Sequence, residues 1–286
     1  MLEAFGLSFG YGEKTVLSEV CFSAPRGRIV ALIGPNGSGK STLLRCLRGL
    51  LPAREGSVRL FGRPLRDYSP SELSRRVAFL PQSHERVPPV PVCELVGMGR
   101  SPYHRTGWVL SAEDRLKIDW AIDYMQLDGL RSRTADSLSG GERQRAWIAM
   151  VLAQDTPVIL LDEPVTYMDL RFQRELLAVL VDLRDRFTKT IVSVFHDINH
   201  ALEIADAVYL LKDGRIHGAG ESEQVVTESS IRDVFQVGTH LCRFSGRRRA
   251  FVVPHGIDNL SDSRAAIIEK GAHLQHDLLP CLEKGR

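Results

Sequence analysis

What the 286-residue chain lacks bounds it before any motif is read. Its five cysteines, Cys21, Cys46, Cys93, Cys242 and Cys281, form no C-x-x-C pair. Neither a disulfide framework nor a zinc site is expected, and a reducing cytoplasm is the expected setting. No apolar run approaches the ~18 residues of a membrane span, and no basic segment followed by an apolar one opens the chain. Any role in a membrane process is therefore expected to be played from outside the bilayer. Neither charge is in excess: 37 basic against 35 acidic side chains leave a formal net charge of +2, which gives no strong field to draw in nucleic acid. The triplet Arg247-Arg248-Arg249 reads as a solvated turn. With 43% hydrophobic and 25% charged residues, the composition is that of an ordinary globular protein with ample material for a core.

The most informative stretch is Gly34-Pro35-Asn36-Gly37-Ser38-Gly39-Lys40-Ser41, of the form G-x-x-x-x-G-K-[ST]. It lies between an apolar run, Ile29 to Ile33, and a helix-like run, Ser41 to Leu50, which is strand, tight loop and helix. Glycines let successive backbone N–H groups turn inward around an anion, and the helix aims its positive end at the same point. Phosphate is the expected guest. Lys40 is placed to reach the β- and γ-phosphates, and the Ser41 hydroxyl to ligate the accompanying Mg²⁺.

Leu2 to Phe9 and Val16 to Ser23 read as strands joined by a turn at Tyr11-Gly12-Glu13-Lys14. Tyr11 is equally readable as a base-stacking platform or as hairpin packing. Gly56 to Gly62 gives a short strand and turn, Ser69-Pro70-Ser71-Glu72 starts a helix with a capping box, and Val77 to Leu80 is a strand ending in Pro81-Gln82. A mostly helical insert is expected to begin at residue 83, with an extended linker at Val87-Pro88-Pro89-Val90-Pro91. Ser111 caps a helix whose apolar positions include Leu116, Ile118, Trp120, Ala121, Met125 and Leu127, with Trp120 and Met125 as core residues.

Leu138-Ser139-Gly140-Gly141-Glu142 opens a second helix with an anion-accessible terminus, although a simple capped helix accounts for the pentapeptide alone. Val158 to Leu161 reads as a buried parallel strand delivering Asp162 and Glu163 to its C-terminal edge, where ligands of open α/β sheets collect. Asp162 is suited to hold Mg²⁺ and Glu163 to polarise an attacking water. Asp169 to Phe187 reads as an amphipathic helix, Thr190 to Phe195 as a strand ending in His196, a candidate γ-phosphate donor. Val208 to Ile216 forms a hairpin with an Asp-Gly turn, Ser229 to Gln236 a helix and Ala250 to Val253 a strand. His200 and His217 are structural. The expected layout is one α/β domain over residues 1–254, with the insert at about 83–155, and a tail at 255–286 that adds at most a helix at 263–269.

With these motifs in this order, the chain resembles the ATP-binding subunit of an ABC transporter over roughly Leu2 to Pro254. The resemblance implies a P-loop NTPase sheet with an N-terminal antiparallel β-subdomain and a helical insert, with ATP and Mg²⁺ as cofactors. It makes Tyr11 the base-stacking aromatic, Gly34 to Ser41 with Thr42 the Walker A loop, and Gln82 the sensor of γ-phosphate and Mg²⁺. Asp162 becomes the Walker B aspartate, Glu163 the catalytic glutamate, Ser139, Gly140, Gly141 and Glu142 the signature segment, Asp169 the D-loop aspartate and His196 the switch histidine. The wording Arg145 to Gln154 and His196 to Ala201 is similar to importers of ferric siderophores, with heme, cobalamin or another metal chelate as alternative cargo. That implies a homodimer on the cytoplasmic face of the membrane, permease subunits and, indirectly, a solute-binding protein. Val165, and Tyr167-Met168 before Asp169, depart from the family's usual wording. A soluble ABC ATPase acting on DNA or ribosomes fits less well, because such chains carry two ATPase halves or a long coiled coil. A P-loop kinase leaves the Ser139 segment without a role.

Overall fold

The computed structural model describes residues 1–82, 89–104, 109–165, 168–243 and 249–255. Three sheets order them. Strands β1 (Leu2–Tyr11), β2 (Lys14–Ala24), β4 (Glu55–Leu60) and the two-residue β5 (Arg63–Pro64) form an antiparallel sheet in the order β2-β1-β4-β5. The central sheet runs β10-β9-β3-β8-β7-β6, from β3 (Ile29–Ile33), β6 (Val77–Leu80), β7 (Val158–Asp162), β8 (Thr190–Val194), β9 (Ala207–Lys212) and β10 (Arg215–Gly220). Five of these strands are parallel and β10 pairs antiparallel at the edge. A small pair, β11 (Thr239–Cys242) and β12 (Phe251–Pro254), completes the set.

Every residue of β3, β7 and β8 is buried, so these strands are apolar apart from Asp162 at the end of β7 and Thr190 and Ser193 in β8. Alternate side chains serve two cores. Ile29, Ala31, Ile33, Ile159, Leu161 and Ile191 face one cluster, shared with the helices between β6 and β8. Val30, Leu32, Val158, Leu160, Val192 and Val194 face the other, with β1, β2, β4 and helix α1 (Lys40–Arg48). Full burial of one such side chain contributes about 1.5–3 kcal/mol.

Helix α2 (Pro70–Ser74) begins at the Ser69–Glu72 capping box. The insert holds α3 (Val92–Gly97), α4 (Ala112–Tyr124) and α5 (Gly140–Ala153), which pack on one another. Ser111 caps α4 as expected, through a reciprocal box with Asp114. The apolar stripe differs from its sequence reading. Ile118, Ala121, Met125 and Leu127 are in the core, Met125 as expected and the last two past the helix end, whereas Leu116, about 200° around the helix from Ile118, is 69% exposed and Trp120 is only partly buried; Arg100 lies buried against α4, donating to Asp114 and the Ala153 carbonyl.

After β7 come α6 (Leu170–Asp185), α7 (Ile198–Ile204), α8 (Ser222–Val225) and α9 (Glu228–Phe235). The solvated turn expected at the arginine triplet is corrected at its last member. Arg249 donates to the carbonyls of Leu202 and Ala205, satisfying the C-terminal end of α7. Residues 247 and 248, residues 87 and 88 of the linker and the 256–286 tail lie outside the described residues. No helix among the described residues is long and apolar enough to cross a membrane.

Candidate functional site: a phosphate cleft at the edge of the parallel sheet

The parallel strands β6, β7, β8 and β3 are neighbours, so the residues following each emerge at one edge. Gln82 follows β6, Asp162 ends β7 with Glu163 next, His196 follows β8 and the glycine loop follows β3. A cleft of about 820 Å³ opens there, lined by the phosphate loop and α1 together with Gln82, Glu163 and His196. Its remaining wall was not legible in the sequence: Lys14, Thr15 and Val16 of β2 and Asp213-Gly214 of the β9–β10 turn.

Two glycines fix the loop. Gly39 caps α1 at φ 101°, and a Cβ there would meet Leu17 Cδ2 at 2.8 Å. Gly214 has φ 75°, and a Cβ there would fall 2.2 Å from the Val16 carbonyl. Its N–H donates to the Ser38 carbonyl at 3.1 Å and its own carbonyl accepts from Ser18 N–H at 2.9 Å. The turn thus ties β2, the β9–β10 hairpin and the phosphate loop together.

Lys40 is buried and donates to the carbonyls of Gly34 and Pro35 at 2.8 and 2.9 Å. Burial lowers its pKa, against the pull of the Glu163 and Asp162 charges. The Ser41 hydroxyl donates to Asp162 Oδ1 at 2.9 Å. Asp162 is 1% exposed, and its Oδ2 has no hydrogen-bond partner among the described residues. Burial raises its pKa, and Glu163 adds to the rise. An orphaned, buried carboxylate oxygen beside a hydroxyl is a hard-oxygen donor pair, and it fits Mg²⁺.

Glu163 is 9% exposed, and its Oε2 accepts from Gln82 Nε2 at 2.8 Å. Its φ of 52° lies in the left-handed region, where a non-glycine residue is strained by about 1–2 kcal/mol. His196 is exposed on the cleft wall.

The remaining sequence candidates lie elsewhere. Tyr11 is 49% exposed, with its ring edge-on to Phe9 at 5.0 Å, and it is not part of the cleft lining. Ser139 is exposed and caps α5 through a reciprocal box with Glu142. A Cβ on Gly140 would meet nothing within 4 Å, whereas one on Gly141 would touch the Phe172 ring at 3.2 Å. The Ser139 terminus is therefore open on one side and packed on the other, and it does not line the cleft of its own chain. Asp169 caps α6 by accepting from Phe172 N–H at 2.9 Å. Val165 and Met168 are buried in the core, and Tyr167 lies outside the described residues.

Comparison with known proteins agrees with this geometry. The family model described as ABC transporter matches residues 17–166. An iron(3+)-hydroxamate import ATP-binding protein of Bacillus subtilis is 38% identical over 235 residues, 82% of this chain and 87% of that one. A hemin import ATP-binding protein of Streptomyces coelicolor is 40% identical over 252 residues, 88% of this chain and 89% of that one. Among solved structures, an inward-facing metal-chelate type ABC transporter superposes with TM-score 0.78 at 29% identity, over 89% of this chain and 97% of that chain. A dimeric ATP-binding cassette in a post-hydrolysis state with ADP and Pi gives 0.69 at 28% identity, over 78% and 99%. The match over more than half of the chain, on a sheet whose edge carries the phosphate loop and both carboxylates, places the protein in the ABC transporter family, among its ATP-binding subunits.

Proposed function

We propose that this chain hydrolyses ATP to energise the import of ferric siderophores, acting as a homodimer docked on permease subunits at the cytoplasmic face of the membrane. A solute-binding protein would deliver the chelate to the permease. The observation that carries the chemistry is the pairing of Ser41 with Asp162 and of Gln82 with Glu163 in one cleft. The iron-chelate relative and the importer-like wording of residues 145–154 and 196–201 support the cargo.

In this reading an arriving nucleotide draws Lys40 Nζ from the Gly34 and Pro35 carbonyls onto its β- and γ-phosphates, a stronger, charge-assisted contact. The Ser41 hydroxyl and Asp162 would hold Mg²⁺, which supplies neutralisation of the phosphate charge. Glu163 takes the proton of the attacking water, Gln82 orients that carboxylate, and His196 donates to a γ-phosphate oxygen. Tyr11 is proposed as the base platform, reached by rotation of its exposed ring. The open Ser139–Gly140 edge is proposed to close over the γ-phosphate held by the second copy, with Asp169 at the seam, which gives two composite sites per dimer. Hydrolysis removes the group both copies hold, and the dimer reopens.

The hemin relative favours one second reading of the cargo, heme. Uptake of radiolabelled ferric chelates and of heme in cells lacking the chain decides between them. Loss of ferric-siderophore uptake with heme uptake intact is expected. Unchanged uptake of every iron chelate, with loss of another nutrient, overturns the cargo while sparing the ATPase.

A further inference from the structure

The strained backbone at Glu163 has to be held from outside its own strand, because β7 ends at Asp162 and the residue that follows Glu163 is a proline without an N–H. Two glutamines bind carbonyls of the chain that follows Glu163, and one of them, Gln144, reaches the adjoining residue. Gln144 Nε2, in the second turn of α5, donates to the Pro164 carbonyl at 3.0 Å. Gln173 Nε2, on α6, donates to the Met168 carbonyl at 3.0 Å. Pro164 is buried, so its carbonyl needs a donor, and the Gln144 amide is a side-chain donor from an element twenty residues away.

Gln144 lies three residues after Gly141, on the same face of α5. Gly141 rests against the Phe172 ring of α6, and Arg145 sits over the same ring at 4.9 Å. One short helical segment therefore carries the Ser139–Gly140 terminus, the packing contact that seats it, and the hydrogen bond next to the glutamate.

We infer that Gln144 is a positioning residue for hydrolysis: its hydrogen bond to the Pro164 carbonyl fixes the left-handed turn at Glu163 and so aims the carboxylate into the cleft. The terminus that meets the partner's nucleotide and the turn that sets the base then move as one piece. A shift of α5 on dimer closure pulls on Pro164 and adjusts Glu163. Gln82 holds the carboxylate end of the same residue, so Glu163 is fixed at its backbone by the insert and at its side chain by the sheet edge. This rests on the reading of Glu163 as the general base.

The test uses the full chain with ATP and Mg²⁺. Gln144→Glu keeps the shape but sets an acceptor against the carbonyl; Gln144→Met keeps the volume without polarity. For both, kcat is expected to fall about tenfold or more with KM for ATP within about twofold, since the phosphate contacts are untouched. Melting midpoints should fall by several degrees at most, the cost of an unpaired buried carbonyl, with both variants folded at the assay temperature, and in a Glu163→Gln background neither change should lower the residual single-turnover rate further. An unchanged kcat overturns the inference, as does a rise in KM alone or a loss of turnover that disappears when the assay is run well below the melting midpoints of both variants. If Glu163→Gln alone retains full turnover, the general-base reading itself falls, an outcome distinct from the failure of Gln144.

Discussion

Ser41 and Asp162 share a hydrogen bond of 2.9 Å that occupies one carboxylate oxygen of Asp162 and leaves the other buried and unpartnered among the described residues. The pair is 121 residues apart in sequence and is brought together because α1 starts where β3 ends, two strands from β7. In the absence of a cation the arrangement is poorly compensated, and stability and activity should respond to its removal in opposite directions.

Asp162→Asn should therefore melt at a higher temperature than the native chain in the absence of nucleotide, and lose Mg²⁺-dependent hydrolysis. The pH dependence follows from the raised folded-state pKa, against 3.8 in the unfolded chain. The protonated carboxyl favours the fold below about 3.8, and that contribution is lost as pH rises through the raised value. The gap between variant and native melting midpoints should be widest at pH 7 and narrow toward pH 4. Differential scanning calorimetry across that range checks it; a native chain more stable than the variant at pH 7 counts against a destabilising carboxylate.

Glu163→Gln keeps the shape of the site and removes the proposed proton acceptor. General-base catalysis is worth roughly 10²- to 10⁴-fold, so turnover should nearly vanish while nucleotide binding persists. The variant should accumulate as a closed dimer with ATP, whereas Lys40→Ala should bind weakly and stay monomeric. Size-exclusion chromatography with and without ATP reads both. A Glu163→Gln protein that remains monomeric at saturating ATP, even with its membrane partner supplied, would refute the composite site.

Gly140→Ala separates a helix effect from an interface effect. The added methyl group meets nothing within 4 Å in the single chain and sits in the first turn of α5. It should stabilise the isolated chain by up to about 1 kcal/mol through helix propensity. In the proposed composite site the same methyl narrows the approach of the second chain's γ-phosphate, so ATP-induced dimerisation and kcat should fall. Denaturant melts and turnover together check this; unchanged turnover would place the second copy elsewhere.

Burial pushes the Cys46 thiol up to about 12, while Cys21 is exposed. A maleimide at pH 7.5 should label Cys21 within minutes and leave Cys46 unmodified until denaturant is added, as peptide mass spectrometry would show.

The sequence disclosed the cleft where local pattern and chemistry coincide. The loop after Ile33 and the carboxylates after Leu161 end fully buried strands, so an unbroken apolar run followed by a polar cluster located them. Contacts set by tertiary packing were hidden. The Gln144–Pro164 hydrogen bond links two elements whose separation no periodicity reveals, and nothing local brings Lys14, Thr15 and Val16 to the cleft. Helix α3 follows directly on proline-rich sequence, and its six residues are too few to show a period. The β11–β12 pair escaped because β11 gave no turn signal and β12 was read as a lone strand. Leu116 faces outward because it stands about 200° of helix from Ile118, so apolar character alone does not place it on the buried face of Ile118, Ala121 and Ile122.

The Gly214 turn carries a consequence for the order in which the molecule is built. The cleft wall is closed by segments near residues 16, 38 and 214, which meet only after residue 214 has been synthesised. Such long-range closure is slow, and the cleft cannot exist in a nascent fragment. A ligand that needs the complete cleft binds the folded chain and not the unfolded one, so nucleotide shifts the folding equilibrium toward the native state. Each tenfold rise of ligand above its dissociation constant adds about 1.4 kcal/mol to the folded state. The same turn that seats the phosphate loop thus links nucleotide binding to the stability of the folded subunit.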